Sequence, residues 1–179
     1  MAHADVIPEF LILPKRDVNA LLESDAGAAV RAIVSIGDPE ESPPRCLRLR
    51  PAKVLRLEFD DFVFYDTPTA EDLDEVTLPT REQIARLIAF SIAVEEGTVL
   101  FHCFAGISRS TAAATVFCAA RTGPGHEREA FERVLAARRQ AHPNLHMLEH
   151  ADAILNTNLV GAFRSIFKQQ PAIDALLSV

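Results

Sequence analysis

Thr98-Val-Leu-Phe-His102-Cys103-Phe-Ala-Gly106-Ile-Ser-Arg109-Ser110-Thr111 is the stretch on which both the fold and the chemistry turn. Thr98 to Phe101 is a short apolar run bounded by Gly97, the pattern of a buried strand, and it runs straight into His102 and Cys103. Ser110 through Arg121 is Ala-rich and apolar nearly all round, which predicts a buried helix closed by Gly123-Pro124-Gly125. Strand, tight loop and helix therefore follow one another with Cys103 and Arg109 at the two ends of the loop. A Cys and an Arg at this spacing mean little alone. Adding His before the Cys, Gly three after it and Ser after the Arg makes a chance match on the order of 1 in 10⁵.

The spacing has a physical reading. Five residues between Cys103 and Arg109 let the backbone curl so that its N–H groups converge, and a helix starting near Arg109 adds its positive end there. Such a nest, formed by Phe104, Ala105, Gly106, Ile107, Ser108 and Arg109, suits a dianionic phosphoryl group and favours a nucleophilic thiolate at Cys103. Gly106 permits the turn and a close backbone approach. Arg109 offers a planar fork to two phosphoryl oxygens. The Ser110 hydroxyl can hydrogen-bond the sulfur and help it leave. His102 is expected behind the loop, fixing it through its ring nitrogens.

Outward from this stretch, short strands alternate with helices. Phe10–Leu13, Val30–Ile36 and the part-alternating Val54, Leu55, Leu57, Phe59 read as strands. Asp17 is expected to cap a helix through Leu22, and Thr80 with Gln83 to form a capping box for a helix whose buried face is Ile84, Leu87, Ile88, Ser91 and Ile92. After Arg121 the pattern is helix only: Arg128 to Gln140, then Asn144 to Phe167 as one piece, with Pro143 between. The Pro-rich stretches 37–52 and 61–79 read as loops. The fold class is α/β: one domain over 1–179, a small mainly parallel sheet flanked by helices, an all-helical second half, and tails at 1–9 and 168–179.

Composition fits that class. The 179 residues are 49% hydrophobic and 24% charged, enough apolar material for a sizeable core. A net charge of −7 argues against a nucleic-acid partner, and no apolar run reaches the roughly 20 residues of a membrane helix. The N-terminal residues lack the basic-then-apolar pattern of a secretory signal, and Cys46, Cys103 and Cys118 are odd in number and widely spaced. Together these point to a reducing cytoplasm.

His102-Cys103-x5-Arg109-Ser110 resembles the signature of the cysteine-dependent protein tyrosine phosphatases. Ala-Gly-Ile-Ser-Arg-Ser is closest to the dual-specificity-like branch and its bacterial relatives. Pro143-Asn144 … Ala151-Asp152 also resembles a group of predicted bacterial tyrosine phosphatases, and the resemblance spans roughly 30–160. It implies phosphorylated protein or peptide substrates, attack by Cys103 on phosphorus, a cysteinyl-phosphate, hydrolysis by water, and no metal or other cofactor. It also implies an Asp general acid on the loop that follows the strand ending near Phe59. Asp61, the first residue free to turn out of that strand, is favoured over Asp60. The loop is longer than the family's usual one, which keeps Asp66 and Asp72 as alternatives. Between Asp60 and Pro79 this loop carries seven acidic residues and no basic one, so it predicts a negative rim.

Other chemistry-bearing residues have plainer readings. Cys118 reads as inert packing, and Cys46, in a Pro/Arg-rich loop, as a weak redox candidate. His146-Met-Leu-Glu149-His150 matches a zinc-protease pattern literally, but the distant acidic ligand is missing and a solvated helix face is preferred. Arg128, Arg133, Arg138 and Arg139 read as an exposed helix face with partners such as Glu129. Gly37-Asp38-Pro39 reads as a turn, with Asp38 alternatively lining the cleft. A sulfurtransferase or arsenate reductase is disfavoured, the latter because Cys118 is a poor resolving thiol. A non-catalytic phospho-residue binder of the same fold stays open.

Overall fold

The computed structural model describes residues 7–48, 52–62 and 76–167. Four strands, β1 (Phe10–Pro14), β2 (Val30–Gly37), β3 (Lys53–Glu58) and β4 (Thr98–Cys103), form one sheet in the order β1-β4-β2-β3. Every pairing is parallel, so the expected mainly parallel sheet is wholly parallel. Register aligns Cys103 with Pro14, His102 with Ser35, and Gly37 with Glu58. The carboxyl ends of β4, β2 and β3 thus deliver Cys103, Asp38 and the Phe59–Asp61 segment to one edge, where open α/β sheets place their ligands.

Alternation along the strands sorts the residues between two layers. Val99, Phe101 and Cys103 face one side with Ala32, Val34, Ile36, Leu55, Leu57 and Phe59. That side is covered by α2 (Arg81–Ala93), α3 (Arg109–Thr122), α4 (Glu127–Ala137), α5 (Leu145–Leu155) and α6 (Leu159–Phe167). Leu100 and Ile33 face the other side, under α1 (Lys15–Glu23) and short 3₁₀ turns at Asp25–Ala29 and Arg45–Arg48. α3 is buried from Arg109 through Ala119, as its composition predicts. No helix among the described residues is long and apolar enough to cross a membrane.

The capping box of Thr80 and Gln83 forms, and Ile84, Leu87, Ile88 and Ser91 are buried. Ile92 is not; it is 61% exposed, one step beyond the covered face. Asp17 is no cap either: Pro14 occupies the N-cap position of α1, and Asp17 lies in the first turn, where its charge still favours the helix dipole. α4 stops at Ala137 instead of Gln140. The expected single helix from Asn144 to Phe167 is two, broken where Asn156 turns left-handed at φ 55°. Asp152 explains the break. Its Oδ1 accepts from the Thr157 hydroxyl and the Leu159 amide, and its Oδ2 from the Val160 amide, so it caps α6 from the preceding helix. Of the expected tails, 1–6 and 168–179 lie outside the described residues. Ile7 packs on the core, and the Glu9 carbonyl accepts from the Val99 amide.

Candidate active site

Cys103 ends β4 and Arg109 begins α3, so the sheet and the largest buried helix hold the two ends of the loop. Gly106 sits at φ +70°, and a β-carbon there would come within 2.7 Å of the Leu13 and Pro14 backbone. Conformation and space both demand glycine at the point where the loop passes over β1.

The loop's polarity follows from what its carbonyls bond. Phe104 O accepts from the Lys15 amide at 3.0 Å. Ala105 O and Gly106 O accept from Arg138 Nη2 and Nε at 3.2 and 3.0 Å. Ile107 O accepts from the His142 amide at 2.9 Å, and Ser108 O from the Ala112 amide at 2.9 Å. The Thr111 hydroxyl adds bonds to Ile107 O and Ser108 O. Five successive carbonyls are therefore held by donors around the loop. No peptide among the described residues is cis, so each N–H from 105 to 109 points opposite its pinned carbonyl, into the loop. Among the described residues the amides of 104–108 donate to no protein acceptor. The result is a concave set of donors, backed by the α3 N-terminus, that matches a tetrahedral oxyanion.

Side chains complete it. Cys103 is buried, with its Sγ 3.2 Å from Ser110 Oγ. The Arg109 guanidinium is nearly buried; its Nη1 donates to Asp38 Oδ1 at 2.6 Å and Phe59 O at 2.7 Å, while Nε has no hydrogen-bond partner among the described residues. Asp61 Oδ2 lies 3.7 Å from that Nε, and Asp61 Oδ1 accepts from Ser108 Oγ at 2.5 Å and Asn144 Nδ2 at 3.1 Å. Asp60 points elsewhere: its amide donates to Thr77 O and its Oδ2 accepts from the Thr77 amide, closing the base of the loop. Asp66 and Asp72 lie outside the described residues, with much of the acidic loop. A cleft of about 520 Å³ opens over the cradle, lined by Asp38, Asp60, Asp61, Phe62, Phe104 and Arg109 among others.

His102 behaves differently from expectation. It is fully buried on the α1 face of β4, and neither ring nitrogen has a hydrogen-bond partner among the described residues. Burial pulls its imidazole down to about 4, Arg56 and Lys15 push the same way, and the Cys103 backbone opposes them without an aligned hydrogen bond. The ring is neutral and holds its place by packing. The other cysteines are electrostatically set apart from a nucleophile: burial pushes Cys118 up to about 12, and the Glu23 carboxylate bonded to Cys46 Sγ at 3.2 Å pushes that thiol up too.

Two residues escaped the sequence reading. Arg138, read there as part of an exposed helix face, lies one residue past α4 and straps the loop from behind. Asn144 ties Asp61 to the cradle while its Oδ1 caps α5 through the Met147 amide. Chain breaks were the available signals: Pro143-Asn144 marks a helix start, but nothing local says which loop it touches. His146 and His150 are half-buried and engaged, His146 Nδ1 with Glu149 and His150 Nε2 with Pro79 O, while Glu149 is exposed, so the face expected to be solvated is solvated in part.

No family model and no curated protein matches the chain. Solved structures do. Tk-PTP in its active form superposes with a TM-score of 0.56 at 20% identity, covering 86% of this chain and 94% of that one. A mouse putative dual specificity phosphatase complexed with zinc tungstate gives 0.51 at 22% identity, covering 84% of each chain. PTPMT1 in complex with PI(5)P gives 0.52 at 16%, covering 91% of this chain and 95% of that one. The chain therefore has the fold of the dual-specificity and tyrosine phosphatases.

Proposed function

We propose that this chain is a phosphomonoester hydrolase that removes phosphate from phosphotyrosyl peptides through a cysteinyl-phosphate intermediate. The observation that carries the reading is the cradle itself: five carbonyls pinned outward, their amides turned in, with the Cys103 sulfur at the base and Ser110 Oγ beside it. In this reading the amides of 105–109 and Arg109 Nε hold three phosphoryl oxygens as charge builds on them. Cys103 attacks phosphorus in line with the departing oxygen, and the S–P bond forms as the P–O bond breaks. Asp61 gives its proton to the departing phenolate and then takes one from the attacking water. Water breaks the S–P bond, and Ser110 steadies the returning thiolate. Asp38 and Phe59 O hold Nη1, so the guanidinium is fixed with its Nε edge turned to the phosphoryl group.

The charge of the cleft supports this substrate class. Among the described residues three carboxylates, Asp38, Asp60 and Asp61, line it against one cation, Arg109, and residues 104–108 contain no Lys or Arg. A polyphosphorylated headgroup meets that field unfavourably, whereas a single aryl phosphate between Phe62 and Phe104 does not. A reducing cytoplasm, where Cys103 stays a thiol, fits this chemistry. The test compares kcat/KM for a phosphotyrosyl peptide, a phosphoseryl peptide and a soluble phosphoinositide at equal ionic strength, with Cys103→Ser as control. The tyrosyl peptide should be turned over fastest and the control should be silent. Turnover of the phosphoinositide alone, the ligand type seen in the PTPMT1 complex, moves the assignment to lipids. Tight binding of the peptide without turnover makes the chain a phospho-residue binding protein.

A further inference from the structure

Phe104 stands 66% exposed on the crest between two clefts. One is the acidic cleft over the cradle. The other, about 570 Å³, lies across Phe104 and Ala105, which both clefts share, and is lined by Lys15, Arg16, Asn19, Pro44, Arg138 and Gln140 among others. Among the described residues no carboxylate lines this second cleft. Lys15 is neutralised by Glu41, with its Nζ also on Ser42 O. Among the described residues Arg138 is held on neutral carbonyls with no carboxylate paired to it, and Arg16 is highly exposed with a 3.8 Å contact to Asp17 as its one ion pair. Asn19 spends its Oδ1 on the Cys46 amide, so Nδ2 is the group it can offer a carboxylate. The two sides of Phe104 thus carry opposite fields.

We propose that the second cleft is a subsite for an acidic side chain flanking the phosphorylated residue of a peptide substrate. The paired clefts then set the direction in which that peptide lies. A carboxylate on one side of the phosphotyrosine meets Arg16 and Arg138; a basic side chain on the other meets the negative field of the cleft lined by Asp38, Asp60 and Asp61. The inference rests on the phosphopeptide reading above and adds orientation to it. Both fields are solvent-accessible, so the preference is modest, about threefold per well-placed charge at low salt, and fades as salt rises.

The experiment walks one glutamate through the three positions on each side of phosphotyrosine in an otherwise neutral peptide and measures dissociation constants with Cys103→Ser at low and high salt. Binding tightened about threefold by glutamate on one side only, and weakened on the other, supports the subsite. Adding Arg16→Glu should abolish or reverse the gain on the tightened side and leave the opposite side unchanged. Equal affinities at all positions, no binding of any peptide, or an asymmetry that survives Arg16→Glu overturns it. Turnover by the wild-type chain is scored separately: asymmetric binding without hydrolysis sinks the enzyme reading and keeps the subsite, and hydrolysis without asymmetry does the reverse.

Discussion

The loop from Cys103 to Arg109 and the segment from Arg138 to Asn144 build one object from two sides, and they differ in kind. The first carries a buried thiol, a run of inward-turned amides and a guanidinium. The second reaches the loop's carbonyls, Asp61 and the Phe62 carbonyl: Arg138 through its side chain, His142 through its amide, Asn144 through both. Chemistry is concentrated in a local run, while the orientation that makes the run useful comes from a remote turn between α4 and α5. A peptide unit turns its amide inward at little cost only when its carbonyl is satisfied outward, so the strap is part of the cradle although it lies behind it.

That comparison can be broken at either side. The largest effect belongs to Arg109. Arg109→Met removes the only cation that lines the cradle among the described residues and strands Asp38 and Phe59 O, and kcat on any phosphomonoester should fall about 10³-fold. Arg109→Lys should recover little, because a point charge cannot reproduce the fork. A loss under tenfold in steady-state assays means the amides alone hold the phosphoryl group.

Next comes His102, at the junction of strand and loop. The unfolded chain takes up a proton near 6.5 that the folded chain refuses until about 4. Stability is therefore complete above 6.5 and drains as pH falls toward 4, by about 3 kcal/mol over the window. Urea unfolding midpoints followed from pH 7 to 4 should show this slope, and His102→Leu should flatten it. Identical slopes in both proteins assign the acid sensitivity to carboxylates instead.

Asp61→Asn should slow hydrolysis of substrates with poor leaving groups roughly 10²-fold and barely change an activated aryl phosphate. Asp60→Asn should not show that split, because its carboxylate is committed to Thr77. If the split appears in neither, the acid comes from Asp66 or Asp72.

The strap gives the smallest effect and sharpens the comparison most. Arg138→Met leaves Ala105 O and Gly106 O without their donor and frees two peptide units to rotate. The expected cost is about tenfold in kcat, about 1.4 kcal/mol, with inhibition by inorganic phosphate weakened to match. Arg138→Lys, able to reach one carbonyl but not two, should fall between. An unchanged phosphate inhibition constant in Arg138→Met means that the helix dipole and sheet fix the loop without help.

How much of this was legible depends on range. Cys103, Gly106, Arg109 and Ser110 lie within eight residues, and each constrains the others through one loop, so spacing alone reveals them. The position of Asp61 beside the loop was reachable because the family resemblance points to the segment after β3, and strand alternation sends Leu55, Leu57 and Phe59 inward and frees the chain soon after. Arg138 was hidden because a basic residue at a helix end looks solvated until the helix is seen to stop at Ala137. The split at Asn156 was hidden for a similar reason: Asp152 acts across the break, on the next helix, and periodicity carries no sign of a cap delivered from behind. The ring nitrogens of His102 misled because polarity suggested bonding where strand parity dictates burial.

The central claim is covalent, and one measurement meets it directly. Wild-type protein mixed with a phosphotyrosyl peptide and quenched in acid within milliseconds should carry a phosphoryl group on the peptide containing Cys103, identified by mass spectrometry. The label should be absent in Cys103→Ser and should accumulate most where the second step is slowed, as in Ser110→Ala. Phosphate release at full rate with no adduct on Cys103, or an adduct on another residue, contradicts the account.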